Sequence, residues 1–240
     1  MGSFADEIFA LLQELSAKQE RAFFRKFAAG ELSRAGLHEY YGHLYHECCA
    51  FVRLVSAVHV LAEEKDQREA LGHNLVDEYG HGEPGMDHPS LAIKVGVALG
   101  LTEEAILKHG LFPEVATELE RIKKLAQSSF LEGLASLIAV EADLPLRHKV
   151  MFEALHKRYG VDAKELRYYA EHMDGSDLAK AGGSYGGDDV HVGREIKLLE
   201  KYAVTDADRA RVKDAIRTTF EVRGSLARVL DQRCGQPGGP

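Results

Sequence analysis

Acidic and histidine residues occupy positions in this chain where a helix would turn them toward the protein interior. Glu78 follows Leu71 and Leu75 at helical spacing, so the three share one helix face. A carboxylate or imidazole in an apolar core is costly unless a metal, a reaction or a hydrogen bond compensates for its lost hydration. The mixture of oxygen and nitrogen ligands suits non-haem iron or manganese. The set that could hold two iron ions is Glu78, Asp87, His88, Glu141, His172, Asp188 and His191.

Two other readings of these residues remain open. The chain has 12 histidines, so some would lie beside carboxylates as ordinary hydrogen-bonded core residues. A ferritin-like site would need two Glu-x-x-His motifs. Glu78 and His81 form one, but Leu144 stands where the motif beginning at Glu141 would need a histidine. His81 is therefore a rival to His88 as a ligand.

The elements that must position these residues are helices. Apolar residues recur at spacings of three and four almost throughout, which predicts an all-α protein. We expect about seven to nine helices in a single domain over residues 1–235, followed by a flexible tail at 236–240. Capping residues predict helix starts after Ser33, Thr102 and Thr205. One helix is expected over about residues 3–29 and another over 113–143, whereas the glycines between His172 and Asp188 predict a loop or a broken helix.

Composition excludes several classes of function. The net charge is −8 and the pI about 5.8, so no excess of positive charge would attract nucleic acid or an anionic membrane. No apolar run approaches the roughly 18 to 20 residues of a membrane span, and no signal peptide is recognisable. We expect a cytoplasmic protein. Cys48, Cys49 and Cys234 form neither a disulfide framework nor a CxxC metal site.

Several segments together resemble the haem-oxygenase-like superfamily, which includes thiaminase II and pyrroloquinoline quinone synthase. The resemblance covers about residues 20–205 and implies a haem-oxygenase-like helical bundle. The segments that carry it are Phe24-Arg-Lys-Phe-Ala-Ala-Gly-Glu-Leu-Ser, residues 37–45, Asn74-Leu-Val-Asp-Glu-Tyr-Gly, Asp87-His-Pro, Val140-Glu-Ala-Asp-Leu-Pro and Tyr168-Tyr-Ala-Glu-His.

The metal-bearing branch of this superfamily, the diiron oxidases and oxygenases, uses three histidines and three carboxylates. Carried over by position, the resemblance implies the metal ligands Glu78, His88, Glu141, His172, Asp188 and His191. The branch usually ends in His-x3-Asp-x2-His, whereas here Asp188 stands sixteen positions after His172, an insertion of about twelve residues. The site survives if the insertion loops out and the helix resumes at Asp188. Asp177 is a poor substitute, because Lys180 follows it where a histidine is needed.

The non-metal branches fit these residues less well. Thiaminase II uses a catalytic cysteine in a mid-chain helix, and no cysteine occurs here between Cys49 and Cys234. The quinone synthase branch binds its substrate with basic residues and histidines. Arg147, His148 and Lys149 could serve that purpose, although a solvated turn explains them equally well.

The sequence therefore favours a non-haem diiron oxidoreductase that takes two Fe(II) ions and dioxygen. The resemblance implies an amino-acid-like or fatty-acid-like substrate, converted by N-oxygenation, desaturation or oxidative carbon–carbon cleavage, and a homodimer. We expect Glu78 and Glu141 to be catalytic. Glu47 is either an additional carboxylate near the metals or a partner of His43. Substrate is expected to enter near the glycine-rich segment. The alternatives are a cofactor-free quinone synthase-like oxidase and a non-catalytic helical binding module.

Overall fold

The computed structural model of the chain describes residues 2–19, 21–142, 144–173 and 188–236, and the side chains of residues 188–190 lie outside this description. The predicted all-α class is confirmed. The described residues form twelve α-helices and two short 3₁₀ segments, Gly80–Gly82 and Ala163–Leu166. The helices are α1 (Phe4–Ala17), α2 (Ala22–Ala29), α3 (Arg34–Val60), α4 (Lys65–Glu78), α5 (His88–Ala98), α6 (Glu103–His109), α7 (Pro113–Ser128), α8 (Phe130–Glu141), α9 (Leu144–Lys157), α10 (Arg167–Glu171), α11 (Asp188–Tyr202) and α12 (Asp206–Cys234).

The predicted number of seven to nine helices is too low, because two stretches expected to be continuous are divided. Residues 3–29 separate into α1 and α2, and α2 ends at Gly30, whose φ of 76° is left-handed. Residues 113–143 separate at Ser129, which is extended and accepts a hydrogen bond from the backbone N–H of Glu132. Ser129 therefore caps α8 and lets it change direction.

The predicted caps on the other helices are confirmed. Ser33, Thr102 and Thr205 each accept a hydrogen bond from the third residue of the helix that follows, at 3.0 to 3.1 Å. These bonds satisfy amide groups that the first turn of a helix leaves without an internal partner. Within the described residues, no helix combines the length and the apolar character that crossing a membrane would require.

The core consists of two hydrophobic clusters, and the long helices α3 and α12 contribute to both. One cluster centres on Val55, Leu134 and Ile216, and the other on Phe27, Tyr41 and Leu155. Helix α8 can approach α3 closely because residue 133 is glycine: a Cβ there would lie 2.8 Å from Cγ2 of Val58. A cavity lined by members of both clusters contains the candidate site.

Candidate metal centre

Three of the predicted ligands converge in the structure. Glu78 ends α4, His88 begins α5, and His172 follows directly after α10; all three are less than 9% exposed. One possible ligand atom from each lies within 4.8 Å of the other two. We call these three residues the first cluster. Among the described residues, it is where a metal ion would find three protein ligands already gathered.

Local hydrogen bonds orient His172. Its Nδ1 lies 2.7 Å from the carbonyl oxygen of Tyr168, one helical turn earlier. Because a carbonyl only accepts, Nδ1 carries the hydrogen and Nε2 is left with the free lone pair that a metal needs. Burial, together with the neighbouring His88, holds the pKa of His172 well below its usual range. The ring is therefore neutral, as a ligand must be.

His88 is positioned by the start of α5. Asp87 caps this helix, accepting a hydrogen bond from the Ser90 N–H at 2.9 Å, and so faces the backbone. Nδ1 of His88 lies 3.0 Å from Oε1 of Glu78, yet it lacks hydrogen-bond geometry toward any described group. Burial would lower the pKa of His88, but the Glu78 carboxylate outweighs this and raises it. The two side chains are thus close together but do not form a well-aligned hydrogen bond. A cation bound to both would satisfy their polar atoms.

The rival ligand His81 faces elsewhere. Its Nε2 lies 2.6 Å from Oδ1 of Asp77, and its φ of 55° places it in the left-handed region. A non-glycine residue in that region is uncommon and needs support from its surroundings. The structure therefore brings His88, and not His81, into the first cluster.

Glu141 forms a second group of buried polar residues, the second cluster, with Asn74 and Glu195. The Asn74 amide nitrogen lies 3.1 Å from Oε1 of Glu141 and 3.5 Å from Oε1 of Glu195. The other carboxylate oxygens, Oε2 of Glu141 and Oε2 of Glu195, have no hydrogen-bond partner among the described residues. Burial raises the pKa of Glu141 to about 7. Burial, and then the charge of Glu141, raise the pKa of Glu195 well above its usual range.

His191 lies on α11 beside the second cluster. Its Nε2 is 2.6 Å from Oδ2 of Asp77, so the Asp77 carboxylate bridges His191 and His81. Burial would lower the pKa of His191, but the hydrogen bond to Asp77 and the charges of Glu141 and Glu195 raise it to about 9. In this arrangement His191 is a cation that balances nearby carboxylates. To bind a metal it would have to lose its proton and its contact with Asp77.

Asp188 and the glycine-rich segment fall partly or wholly outside the described residues. Helix α11 begins at Asp188, but the side chain of Asp188 lies outside the description. The expected loop or broken helix between His172 and Asp188, the expected substrate entry there, and Asp177 likewise concern residues outside it, as does most of the expected tail at 236–240.

The structure places Glu47 beside His43 and at the wall of the cavity. It lines the cavity that also contains Glu78, Glu141, His88 and His172. Its Oε2 lies 3.6 Å from Nε2 of His43. Burial would raise the pKa of Glu47, but His43, helped by Arg147, outweighs this and lowers it. An ionised carboxylate thus faces the cavity without belonging to either cluster.

Glu195, Asp77 and Asn74 were not predicted from the sequence. Glu195 lies four residues after His191, on the same helix face, and this spacing is the signal that could have revealed it. Asn74 likewise lies four residues before Glu78. Asp77 lies four residues before His81, with which it pairs, so the same spacing marks this contact but not the one with His191.

The cavity itself has a volume of about 160 Å³ and mainly apolar walls. Leu44, Phe51 and Leu230 contribute to these walls, and Tyr168 covers His88 and His172 with its ring. Acidic and imidazole groups meet at one side of an apolar chamber. Such a chamber can hold a small organic molecule beside bound metal and restrict the access of water.

Comparisons with known proteins identify this architecture. Solved structures with the same fold include a TenA homologue from Pseudomonas syringae (TM-score 0.73, 12% identity, 97% of this chain and 93% of that chain). A CADD-like protein of unknown function from Nostoc punctiforme gives a TM-score of 0.71 at 14% identity, covering 96% of this chain and 95% of that one. A domain of unknown function from Shewanella denitrificans, described as having a heme oxygenase-like fold, gives 0.68 at 14% identity, covering 95% and 88%. The fold is therefore haem-oxygenase-like, as the sequence predicted.

The family model of the iron-containing redox enzymes matches residues 38–224, and the chain belongs to that family. Relatives named 4-aminobenzoate synthase are similar along most of their length. The protein from Chlamydia muridarum is 26% identical over 232 residues, covering 95% of this chain and 89% of its own. The one from Nitrosomonas europaea is 25% identical over 226 residues, covering 90% and 85%. The chain is thus an oxidoreductase of an iron-containing class.

Proposed function

We propose that this protein is a diiron oxidase or oxygenase that uses two Fe(II) ions and dioxygen to oxidise a small organic substrate. The observation that carries the proposal is the convergence of Glu78, His88 and His172 on one point, at the wall of a cavity that also contains Glu141. Membership of an iron-containing redox family supports the choice of metal.

The donor set fits iron. Two neutral or neutralisable imidazoles and a carboxylate are ligands that ferrous iron accepts, and the three are already gathered without bonding well to one another. We assign the first iron to Glu78, His88 and His172, and the second to Glu141 and His191 with Asp188. One oxygen of Glu141 and one of Glu195 are buried without a hydrogen-bond partner among the described residues. A cation at the second position would compensate for their lost hydration.

The protein's own residues supply binding, orientation and a dry chamber. The bound ferrous ions would supply the electrons that activate dioxygen. The Tyr168 carbonyl fixes the tautomer of His172, and Asp87 fixes the start of the helix that carries His88. Glu78 and Glu141 are the proposed catalytic carboxylates because both face the cavity in which a substrate would react. Apolar walls would hold that substrate and restrict the access of bulk water.

The substrate class is amino-acid-like or fatty-acid-like, with N-oxygenation, desaturation or oxidative carbon–carbon cleavage as the outcome. The relatives named 4-aminobenzoate synthase make 4-aminobenzoate the first product to look for. We further propose that the protein is cytoplasmic and forms a homodimer.

A second candidate is a cofactor-free, quinone synthase-like oxidase. His148 favours it: this buried residue lines the cavity, and its Nδ1 has no hydrogen-bond partner among the described residues. Such a histidine could contact a substrate directly, and this activity would persist without metal.

The test is dioxygen consumption and product analysis in purified protein, with and without anaerobically added Fe(II). We expect iron-dependent consumption, with 4-aminobenzoate among the products sought by mass spectrometry. Glu141→Ala and His172→Ala should abolish it, whereas His73→Ala, at an exposed position on α4, should not. Turnover equal with and without iron would favour the cofactor-free alternative, and no turnover in either state would contradict the proposal.

A further inference from the structure

A second cavity lies directly beside the one that contains the candidate metal centre. It has a volume of about 260 Å³ and is lined mainly by α2, α9 and α12. Phe24, Arg147, Arg223 and Ala227 line both cavities, so they form the partition between them. We call the cavity that contains the first cluster the inner cavity and this one the outer cavity.

Arginines are prominent among the described residues that line the outer cavity, although the protein is acidic as a whole. Four arginines line it, and no aspartate or glutamate is among its described lining residues, although the net charge of the chain is −8. Backbone carbonyls hold two of the four: Arg21 donates to Ser16, and Arg223 donates to Ala139 at 2.6 Å. An arginine side chain recognises a carboxylate or phosphate through both its charge and its hydrogen-bond donors. The four are Arg21, Arg25, Arg147 and Arg223.

Arg147 stands at the partition. Its guanidinium carbon lies 4.9 Å from the centre of the Phe24 ring, a cation–π contact that holds the guanidinium beside the ring. Its Nε is buried and has no hydrogen-bond partner among the described residues. A buried donor without an acceptor is costly, and an anionic ligand would supply the missing acceptor.

Apolar side chains contribute to the walls of both cavities beside Arg147. Leu146, Val150 and Met151 line the outer cavity, and Leu44 and Phe51 line the inner one. A ligand with a charged end and an apolar body would fit the two cavities together. Its charged end would lie at the arginines and its apolar body would point toward the first cluster.

We propose that the outer cavity binds the anionic end of the substrate, a carboxylate or phosphate, and that Arg147 anchors it while the apolar body reaches into the inner cavity. That the bound molecule is the substrate of an oxidation rests on the proposed function, whereas the binding of an anion in the outer cavity does not. It also assigns substrate entry to the face formed by α2, α9 and α12, whereas the sequence suggested the glycine-rich segment.

The test is equilibrium binding of four probes that share an eight-carbon body: octanoate, octyl phosphate, 2-aminooctanoate and 1-octanol. Binding is measured by calorimetry on the full-length protein, as isolated and after chelation of metal. We expect the better of octanoate and octyl phosphate to bind at least 10-fold more tightly than 1-octanol in both states. Whichever of the two is preferred identifies the anionic group, and 2-aminooctanoate shows whether an amino group is tolerated.

Arg147→Gln should weaken binding of the preferred anion by about 10- to 100-fold and leave 1-octanol within about threefold, because a charged hydrogen-bonding partner is lost. Arg147→Lys should recover part of the loss. The matched control is Arg228→Gln, an exposed arginine on α12 outside both cavities. Thermal unfolding and circular dichroism identify any variant that fails to fold, and Arg147→Lys then replaces Arg147→Gln.

Equal binding of anions and 1-octanol, or an anion affinity unaffected by Arg147→Gln, would overturn the inference. Absence of anion binding to the wild-type protein would overturn it as well. Because the chelated protein is measured separately, failure of iron binding does not affect this test, and failure of this test does not affect the iron measurement.

Discussion

The two clusters differ in how their polar groups are satisfied. In the first, Glu78, His88 and His172 approach one another closely. Among the described contacts, the only hydrogen bond that orients a ring there is the one His172 Nδ1 donates to the Tyr168 carbonyl. In the second, Glu141 and Glu195 share the Asn74 amide, while His191 is held by Asp77. The first cluster is arranged for a cation, whereas a cation at the second position would have to displace Asp77 from His191.

This difference has a consequence for metal loading. Preorganised ligands bind without breaking existing hydrogen bonds, so we expect the first cluster to bind iron more tightly. The second must release His191 from Asp77 and requires Asp188, at the start of α11. We therefore expect iron to occupy the two positions in sequence, the first cluster before the second.

The largest expected effect comes from removing one proposed ligand from each iron position in turn. His172→Ala should lower the affinity of the tighter site by at least about 100-fold, since even an outer-sphere partner of a ligand is worth 10- to 100-fold. His191→Ala should leave that site intact and remove the weaker one. Anaerobic Fe(II) titration of both variants, with His73→Ala as the control, checks this. If the two substitutions lowered the iron affinity of both sites equally, the proposed difference between the two iron positions would be wrong.

A smaller effect concerns pH. The pKa of His191 is about 9 in the folded protein and near 6.5 when unfolded, so its stabilising charge is fully present below pH 6.5 and is lost as pH rises through 9. The pKa of Glu141, about 7 against 4.5, acts in the same direction between those values. We expect His191 alone to account for a loss of about 3 kcal/mol of unfolding free energy in the metal-free protein between pH 6 and 9.5.

Urea unfolding of the chelated protein at several pH values measures this dependence. His191→Gln should remove most of the decrease in unfolding free energy above pH 6.5, because the glutamine side chain does not titrate. A metal-free stability that rises over this range in the wild-type protein would contradict the assignment of a charged His191.

The smallest effect separates folding from chemistry. Ser129→Ala removes the cap of α8 and should cost about 1 kcal/mol of unfolding free energy. Since Ser129 belongs to neither cluster, iron affinity at both positions should stay within about twofold. Urea unfolding and iron titration of the same preparation compare the two, and a large change in iron affinity would show that α8 positions Glu141 less rigidly than its packing suggests.

The sequence predicted the features that depend on local patterns. Helical periodicity predicted the inward orientation of Glu78, Glu141, His172 and His191, and each is less than 9% exposed. Capping residues predicted the helix starts at Ser33, Thr102 and Thr205. Ser129 carries the same type of signal, but the apolar pattern on either side of it suggested one continuous helix.

The features that were missed depend on contacts between helices. Glu195 meets Asn74 across α11 and α4, and Asp77 meets His191 across the same pair. Periodicity places a residue on a helix face but does not fix the rotation of two helices against each other. The roles of the six predicted ligands also stay predictions. Metal binding is coupled to the protonation and orientation of the side chains, so the bound ion determines which of them coordinate it.

Anaerobic iron titration of the wild-type chain tests the central claim most directly. Metal-free protein is loaded with excess Fe(II), freed of unbound iron by gel filtration and analysed for iron per chain. We expect about two ions in the wild-type protein and in His73→Ala, at most one in His172→Ala, and none in the double variant with Glu141→Ala and His172→Ala. An iron content near zero in the wild-type protein, or one that the double variant leaves unchanged, would contradict it.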